Sequence, residues 1–336
     1  MKLFVCEFIT GGGLYRQPLS AALAQEGRLM REALLQDLAD LAGDAKFHGI
    51  ELVTSYDSRL EVPPHAHLAV PIHEADDVWR CWETLINQAD AVWLIAPETD
   101  GVLLELTGMV QAAGKRLLGC NAASVFIAAN KLECSELLGQ AGIAVVPGYR
   151  LENLPSGNYP HGLVAKPNDG AGCEDMAWFG EMAELTRWMQ PRRHSHIVQP
   201  YLPGTAASLS MLCRDGRAWL LSCNEQRVKL HHAAFQYSGS VINGMHAYWQ
   251  AGQQLASQVA AALPGLAGYV GVDVIIDDAG CMHVIEINPR LTTSYVGLHA
   301  AINCNPAGLV LELLLYNDAF LLPTLQHSVI ETVLDA

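Results

Sequence analysis

The stretch GVDVIIDDAGCMHVIEINPR, residues 271–290, decides how the rest of the chain is read. Two apolar runs, Gly268–Asp277 and Cys281–Asn288, flank the turn Asp278-Ala279-Gly280, a pattern that predicts an antiparallel hairpin. Side chains two apart on a strand share a face, so Glu286 and Asn288 project together. Asp273 falls on the facing strand, so three oxygen ligands can converge. Hard oxygen donors in that number suit Mg2+ bridging a polyphosphate, because Mg2+ takes few protein ligands and keeps phosphate and water. In so apolar a hairpin these groups are costly to bury without a partner. The plain alternative is an ion pair between Glu286 and Arg290.

Three upstream features acquire meaning beside this one. LVAKPNDGAGCED (Leu163–Asp175) is a glycine-rich loop after a strand. Gly170 and Gly172 allow a tight turn whose backbone N–H groups can face phosphate oxygens, and Lys166 can add a point charge. Taken alone, such a loop is more often an ordinary turn, and it matches neither a Walker A loop nor a G-x-G-x-x-G pattern. Asn130-Lys131 lies at a helix boundary, where a solvated lysine is the default. IVQPYLPG (Ile197–Gly204) is an apolar strand running into a Pro-flanked turn. It can offer backbone groups to a flat heterocycle, serve as an inter-domain hinge, or both.

Ahead of these features, residues 1–120 alternate β-like runs (Lys2–Ile9, Ile50–Thr54, Ala69–Ile72, Ala91–Ala96, Arg116–Cys120) with helix-like ones (Glu26–Leu41, Asp76–Gln88, Gly101–Ala113). That alternation predicts an open α/β domain with a parallel sheet. After Asn121 the texture changes to helices, a loop over Leu151–Pro160 and β-like runs at Leu163–Lys166, His196–Gln199, Ser208–Cys213 and Ala218–Asn224. A second, mixed sheet of α+β character fits better than a continuation of the first. The 336 residues are 51% apolar and 16% charged, enough for a large core and too little charge for disorder. A net charge of -15 lacks the basic field that a nucleic-acid coat needs. The longest apolar stretches, such as Ala91–Pro97 and Leu309–Leu315, fall far short of a membrane span. The start shows no signal-peptide cleavage pattern, and nine cysteines include no C-x-x-C pair. A cytoplasmic protein without membrane or nucleic-acid partners is the expectation.

The order Lys131, then Lys166 with its glycine loop, then Gln199–Gly204, then Asp273 and the E-I-N-P-R run at Glu286–Arg290 resembles the ATP-grasp superfamily of carboxylate–amine ligases over residues 120–300. The resemblance implies an α/β fold in three parts: an N-terminal α/β domain (1–120), a small lobe with the glycine-rich loop (121–205) and a C-terminal lobe with the metal site (206–336). It implies ATP and Mg2+, with Mn2+ able to substitute. Lys131 and Lys166 would bind the phosphates, with Gly170, Ala171 and Gly172 closing over them. Gln199 and the backbone of Tyr201 and Leu202 would meet adenine, while Asp273, Glu286 and Asn288 would hold the metal. Many members carry a Glu after the hinge to grip ribose; Ala206 stands there in this chain, and Ser208 is the stand-in. Arg290, whose fork matches two oxygens, would join Lys166 in catalysis by holding the substrate carboxylate or acyl phosphate. Arg227 and Lys229 are secondary candidates, with surface charge as likely a role.

A finer resemblance runs through FITGGG…EG-R-L-M-R-E-A-L, the stretch Asn224–Gly239 and N-P-R-L-T-T-S-Y (Asn288–Tyr295). These look like the branch of tyramine–glutamate ligases in methanofuran biosynthesis and related proteins of methylotrophic bacteria. It implies L-glutamate and an aromatic amine, tyramine or tyrosine, as small-molecule partners, with a homodimer as the symmetric default. Two other readings are a kinase-like member that phosphorylates without an amine acceptor, and an ATP-binding regulatory module. Gly11-Gly12-Gly13 is either a ligand approach at the sheet edge or a plain turn. His65, His67 and His73 read as an exposed Pro-flanked loop before a metal cluster, and Cys173 and His231-His232 as incidental.

Overall fold

The structure, a computed structural model, describes residues 1–170, 175–316 and 319–333. Leu3, Phe4, Val5 and Cys6 are wholly buried, as a central parallel strand covered on both faces requires. That strand, β1 (Lys2–Glu7), is the middle of five parallel strands. Their order is β3 (Leu68–Ile72), β2 (Glu51–Asp57), β1, β4 (Ala91–Ile95) and β5 (Arg116–Leu117). Helices α1 (Ala21–Asp40), α2 (Val78–Gln88) and α3 (Val102–Ala112) connect them. Asp77 caps α2 by accepting the Arg80 N–H at 3.2 Å.

The first strand ends two residues earlier than its apolar run suggests, and the reason is Glu7. Its buried carboxylate accepts the backbone N–H groups of Ile9 (2.8 Å) and Thr10 (2.6 Å), turning the chain into a helical turn over Ile9–Gly13. Gly12 has φ 112°, and a Cβ there would lie 2.7 Å from the Ile72 side chain. The triple glycine is therefore a built turn at the carboxyl edge of the sheet. Gly27 of α1 packs on the same carboxylate, where an added Cβ would lie 2.7 Å from Oε1 of Glu7. Gly27→Ala is expected to destabilise the fold by about 1–3 kcal/mol, measurable by urea unfolding, because Glu7 is held in place on three sides.

Helices α4 (Ala122–Ala129) and α5 (Lys131–Gln140), capped by the side chains of Asn121 and Asn130, lead into the second sheet. It holds β6 (Leu163–Pro167), β7 (Ala177–Phe179), β8 (His196–Pro200), β9 (Thr205–Arg214), β10 (Arg217–His231), β11 (Ala234–Ile242), β12 (Gly268–Ile276), β13 (Met282–Asn288) and β14 (Ile330–Val333). All the pairings between these strands are antiparallel. Helix α6 (Met182–Met189) lies between β7 and β8, α7 (Trp249–Ala262) between β11 and β12, and α8 (Leu298–Ile302) and α9 (Pro306–Leu311) follow β13. The strand order is β13-β12-β9-β10-β11-β7-β6-β8, with β14 on β11. Among the described residues, the pairing of Ala177 with Ala234 joins the group β6–β7–β8 to the remainder. β10 runs past the expected Ala218–Asn224, and β7, β11 and β14 are further strands of the sheet. β10 continues to His231 and returns through His232-Ala233, both at positive φ (48° and 67°), a two-residue hairpin turn.

The two sheets share a core. Met30, Leu34 and Leu38 of α1 pack in one cluster with Leu3 and Val5 of β1 and with Tyr295, Leu298 and Val310 from beyond β13. Asp37 fixes this contact: it accepts the Tyr295 hydroxyl at 2.7 Å and pairs with His299 Nδ1 at 2.6 Å, while Asn305 donates to its carbonyl at 2.7 Å. Burial raises the Asp37 carboxyl pKa despite these partners. A carboxyl whose folded pKa is raised binds more protons folded than unfolded, so its contribution to stability falls as pH rises from the ordinary carboxyl range. Asp37→Asn is therefore expected to gain stability relative to wild type as pH rises from about 4 to 8, tracked by thermal unfolding. Among the described residues no helix is long and apolar enough to cross a membrane.

Candidate active site

The hairpin forms where the sequence placed it, and its register sets the site. Asp273 of β12 lies directly opposite Glu286 of β13, and Gly271 opposite Asn288, with an irregularity after Asp273. Asp273 accepts Gln226 Nε2 on Oδ1 (2.9 Å) and Asn288 Nδ2 on Oδ2 (3.1 Å). Glu286 lies 3.2 Å from the ammonium of Lys131, which also donates to the carbonyl of Gly170. The plain alternative for Glu286 is thus replaced: its partner is Lys131, and Arg290 pairs elsewhere. Asn168 knits the lysine's helix to the loop after β6, donating to Asn130 Oδ1 at 2.9 Å and accepting the Leu132 N–H at 3.0 Å.

Burial, then the charge of Glu286, pushes Asp273 up to about 7. Burial also works against the charge of Glu286, but Lys131 and then Lys166 outweigh it and hold its carboxyl below the ordinary range. Two acids in one low-dielectric pocket repel unless a proton or a cation lies between them. With Asn288 and Gln226 directing their N–H2 groups at Asp273, the donor set left for a cation is carboxylate and amide oxygen. That set fits a hard divalent ion such as Mg2+ and does not resemble a soft-metal site.

These groups line one cleft of about 360 Å³, which Lys166, Gly170, Gln199, Tyr201, Leu202, Ser208 and Arg290 also line. The phosphate, adenine, metal and carboxylate candidates within the described residues therefore line one cleft, while Arg227 and Lys229 do not; Ala171, Gly172 and Cys173 lie outside the described residues. Gln199 is buried and its Nε2 donates to the Val146 carbonyl at 2.7 Å. The Tyr201 N–H donates to Gly162 at 3.0 Å. Ser208 pairs with Asp273 in the register of β9 and β12, and its hydroxyl accepts from Asn224 at 3.3 Å.

Arg290 is the candidate whose surroundings differ most from expectation. Its Nε reaches Glu98 Oε1 (3.0 Å) and Oε2 (3.1 Å), Nη2 reaches Oε2 (2.8 Å), and Nη1 donates to the Leu291 carbonyl (3.0 Å). Burial disfavours its charge, but Glu98 outweighs burial and raises its pKa. The fork thus grips the N-terminal domain, and only its remaining N–H groups are left for the cleft. Arg227 pairs with Glu331 of β14, and Lys229 is exposed, while the cleft takes Gln226 and Val228 from the same strand. His67 accepts the Leu52 N–H through Nδ1 at 3.0 Å, a structural use. Glu98 and Gln226 were not singled out in the sequence. Glu98 follows a parallel strand, the edge where such sheets carry function, and that position is the signal available.

A parallel α/β domain lies beside a curled antiparallel sheet, and one cleft brings two buried lysines together with half-buried carboxylates and a buried amide. The chain belongs to the ATP-grasp superfamily: an ATP-grasp domain matches residues 128–294 and a pre ATP-grasp 3 domain matches residues 50–125. Within it the chain is similar to the tyramine–L-glutamate ligase of Methanocaldococcus jannaschii, 25% identical over 299 residues, covering 88% of this chain and 83% of that protein. It is also similar to the tyramine–L-glutamate ligase of Methanocaldococcus fervens, 27% identical over 212 residues, which span 63% of this chain and 62% of that one. The crystal structure of an ATP-grasp superfamily protein from Archaeoglobus fulgidus shares the fold, with TM-score 0.70, 22% identity and 99% of each chain covered.

Proposed function

We propose that the chain is an ATP-dependent carboxylate–amine ligase that joins L-glutamate to tyramine, or to tyrosine, in the assembly of a methanofuran-type one-carbon cofactor. The observation that carries this reading is the gathering of Lys131 and Lys166 with the half-buried Asp273 and Glu286 and the buried Asn288 in one cleft. The similarity to tyramine–L-glutamate ligases over most of the chain supports the substrate pair. In this reading residues 1–120, 121–205 and 206–336 are the three working parts.

The central problem is crowding of anions, since a carboxylate must approach a polyphosphate. Asp273, Glu286 and Asn288 would hold Mg2+, or Mn2+ in its place, which supplies positive charge to phosphate oxygens. Lys131 and Lys166 add two fixed charges in a low-dielectric site, where they act most strongly on charge that develops during transfer. Gln199, with its N–H2 committed to Val146, offers its carbonyl oxygen to an adenine amino group, beside the Tyr201 carbonyl and the Leu202 amide. The substrate carboxylate oxygen bonds to the terminal phosphorus and ADP leaves. The amine nitrogen then attacks the carbonyl carbon of that acyl phosphate; phosphate departs with the bridging oxygen and the nitrogen loses a proton. No enzyme nucleophile is needed, and positioning does the remainder.

ADP release coupled to a spectrophotometric readout, with Mg-ATP, L-glutamate and a panel of amines, tests this. ADP that requires both partners, together with an amide of the matching mass, is the expected result. A stable phosphorylated compound formed without amine would replace the ligase by a kinase. Absence of Mg-ATP binding would remove the reading altogether.

A further inference from the structure

Resting on that reading, we propose that the end of the cleft walled by α1 is the amine subsite, with Glu26 receiving the substrate's ammonium group. Ala22, Leu23, Glu26 and Met30 of α1 all line the cleft. Their spacing puts them on one stripe of the helix, so a single carboxylate is flanked by apolar side chains. Opposite them stand Tyr237 and Thr293, whose hydroxyls are 2.7 Å apart. Glu26, Tyr237 and Asp273 line the same cleft, with the Tyr237 hydroxyl within electrostatic reach of both carboxylates.

Charge decides which substrate belongs there. The anions of the reaction find Lys131 and Lys166, with Arg290, among the lining of the same cleft. A carboxylate flanked by apolar side chains attracts a cation and offers no counter-charge to the two carboxylates of glutamate. Leu23 and Met30 beside it offer apolar surface to the body of that cation, which selects an aryl-alkyl amine over a small polar one. The helix is held in register over the site by Asp37 with Tyr295, His299 and Asn305, and by the close contact of Gly27 with Glu7. The EG-R-L-M-R run thereby acquires a role that its sequence did not disclose.

The test compares wild type with Glu26→Gln and Glu26→Asp. At saturating L-glutamate and Mg-ATP, the KM for tyramine is expected to rise about 10- to 100-fold in Glu26→Gln, the loss of one charge-assisted contact. The KM for L-glutamate should stay within about twofold, and Glu26→Asp should recover part of the loss. Calorimetry with the Mg-nucleotide complex gives a readout independent of turnover: tyramine against its neutral alcohol isostere, 4-hydroxyphenethyl alcohol. Wild type is expected to prefer the amine and Glu26→Gln to lose that preference. An effect on L-glutamate alone, unchanged tyramine KM, or no preference in wild type overturns the subsite. Failure to form an amide from any amine instead strikes the ligase reading, whatever calorimetry shows.

Discussion

Lys131→Met is expected to lower turnover by about 10²–10³-fold while the chain still folds, the scale of losing one preorganised charge at a transferring group. Methionine suits the test because the lysine stem is buried, and a shorter side chain would add a cavity to the loss of charge. The ammonium lies between Glu286 and the Gly170 carbonyl, so it ties β13 to the start of the glycine loop. Removing it leaves Lys166 as the cation acting on Glu286, so some stability is lost as well. Circular dichroism and a cooperative melt separate that loss from the catalytic one. Glu286→Gln, which removes a carboxylate oxygen of the proposed metal site and keeps the shape, is expected to fall as far. Full activity in either variant would sink the phosphate and metal assignments together.

Arg290→Met is expected to cost about 3–5 kcal/mol of stability, because Glu98 would be left charged and without its partner in a buried site. The side chains are 12% and 6% exposed, so water cannot take over. The double variant Glu98→Leu with Arg290→Met removes both charges and is expected to recover most of that loss, as read by urea unfolding. Turnover is expected to stay depressed in the double variant, because Arg290 also lines the cleft in which the proposed reaction places its anions. Recovered turnover would make Arg290 purely a clamp between the domains.

What the sequence disclosed and what it hid follow from range. The β12–β13 hairpin was legible because period-two apolar runs and an Asp-Ala-Gly turn are local signals; the pairing of Asp273 with Glu286 was not, since the register set by the turn puts Ile285 there and the irregularity after Asp273 shifts it by one residue. The parallel sheet was legible from alternating runs, with errors at ends where a side chain intervenes, as Glu7 does at the end of β1. β11 was not legible: its run AFQYSGSVI mixes polar and small residues, and it is a strand because β10, β7 and β14 pair with it. Nor was the partner of Arg290, which lies 192 residues away on the other domain. Lys131 could be ranked only through the company of other motifs, since nothing beside it in the chain indicates burial. The α1 wall was invisible for the same reason, as a helix in one domain becomes part of a cleft in another only through packing.

The most direct test of the central claim follows one oxygen atom. L-Glutamate labelled with 18O in both carboxylates is incubated with the protein, Mg-ATP and tyramine, and the released phosphate is analysed by mass. Transfer through an acyl phosphate predicts ADP, one 18O atom in each phosphate released, and an amide that has lost that atom. Unlabelled phosphate, or AMP and pyrophosphate in place of ADP, would contradict it.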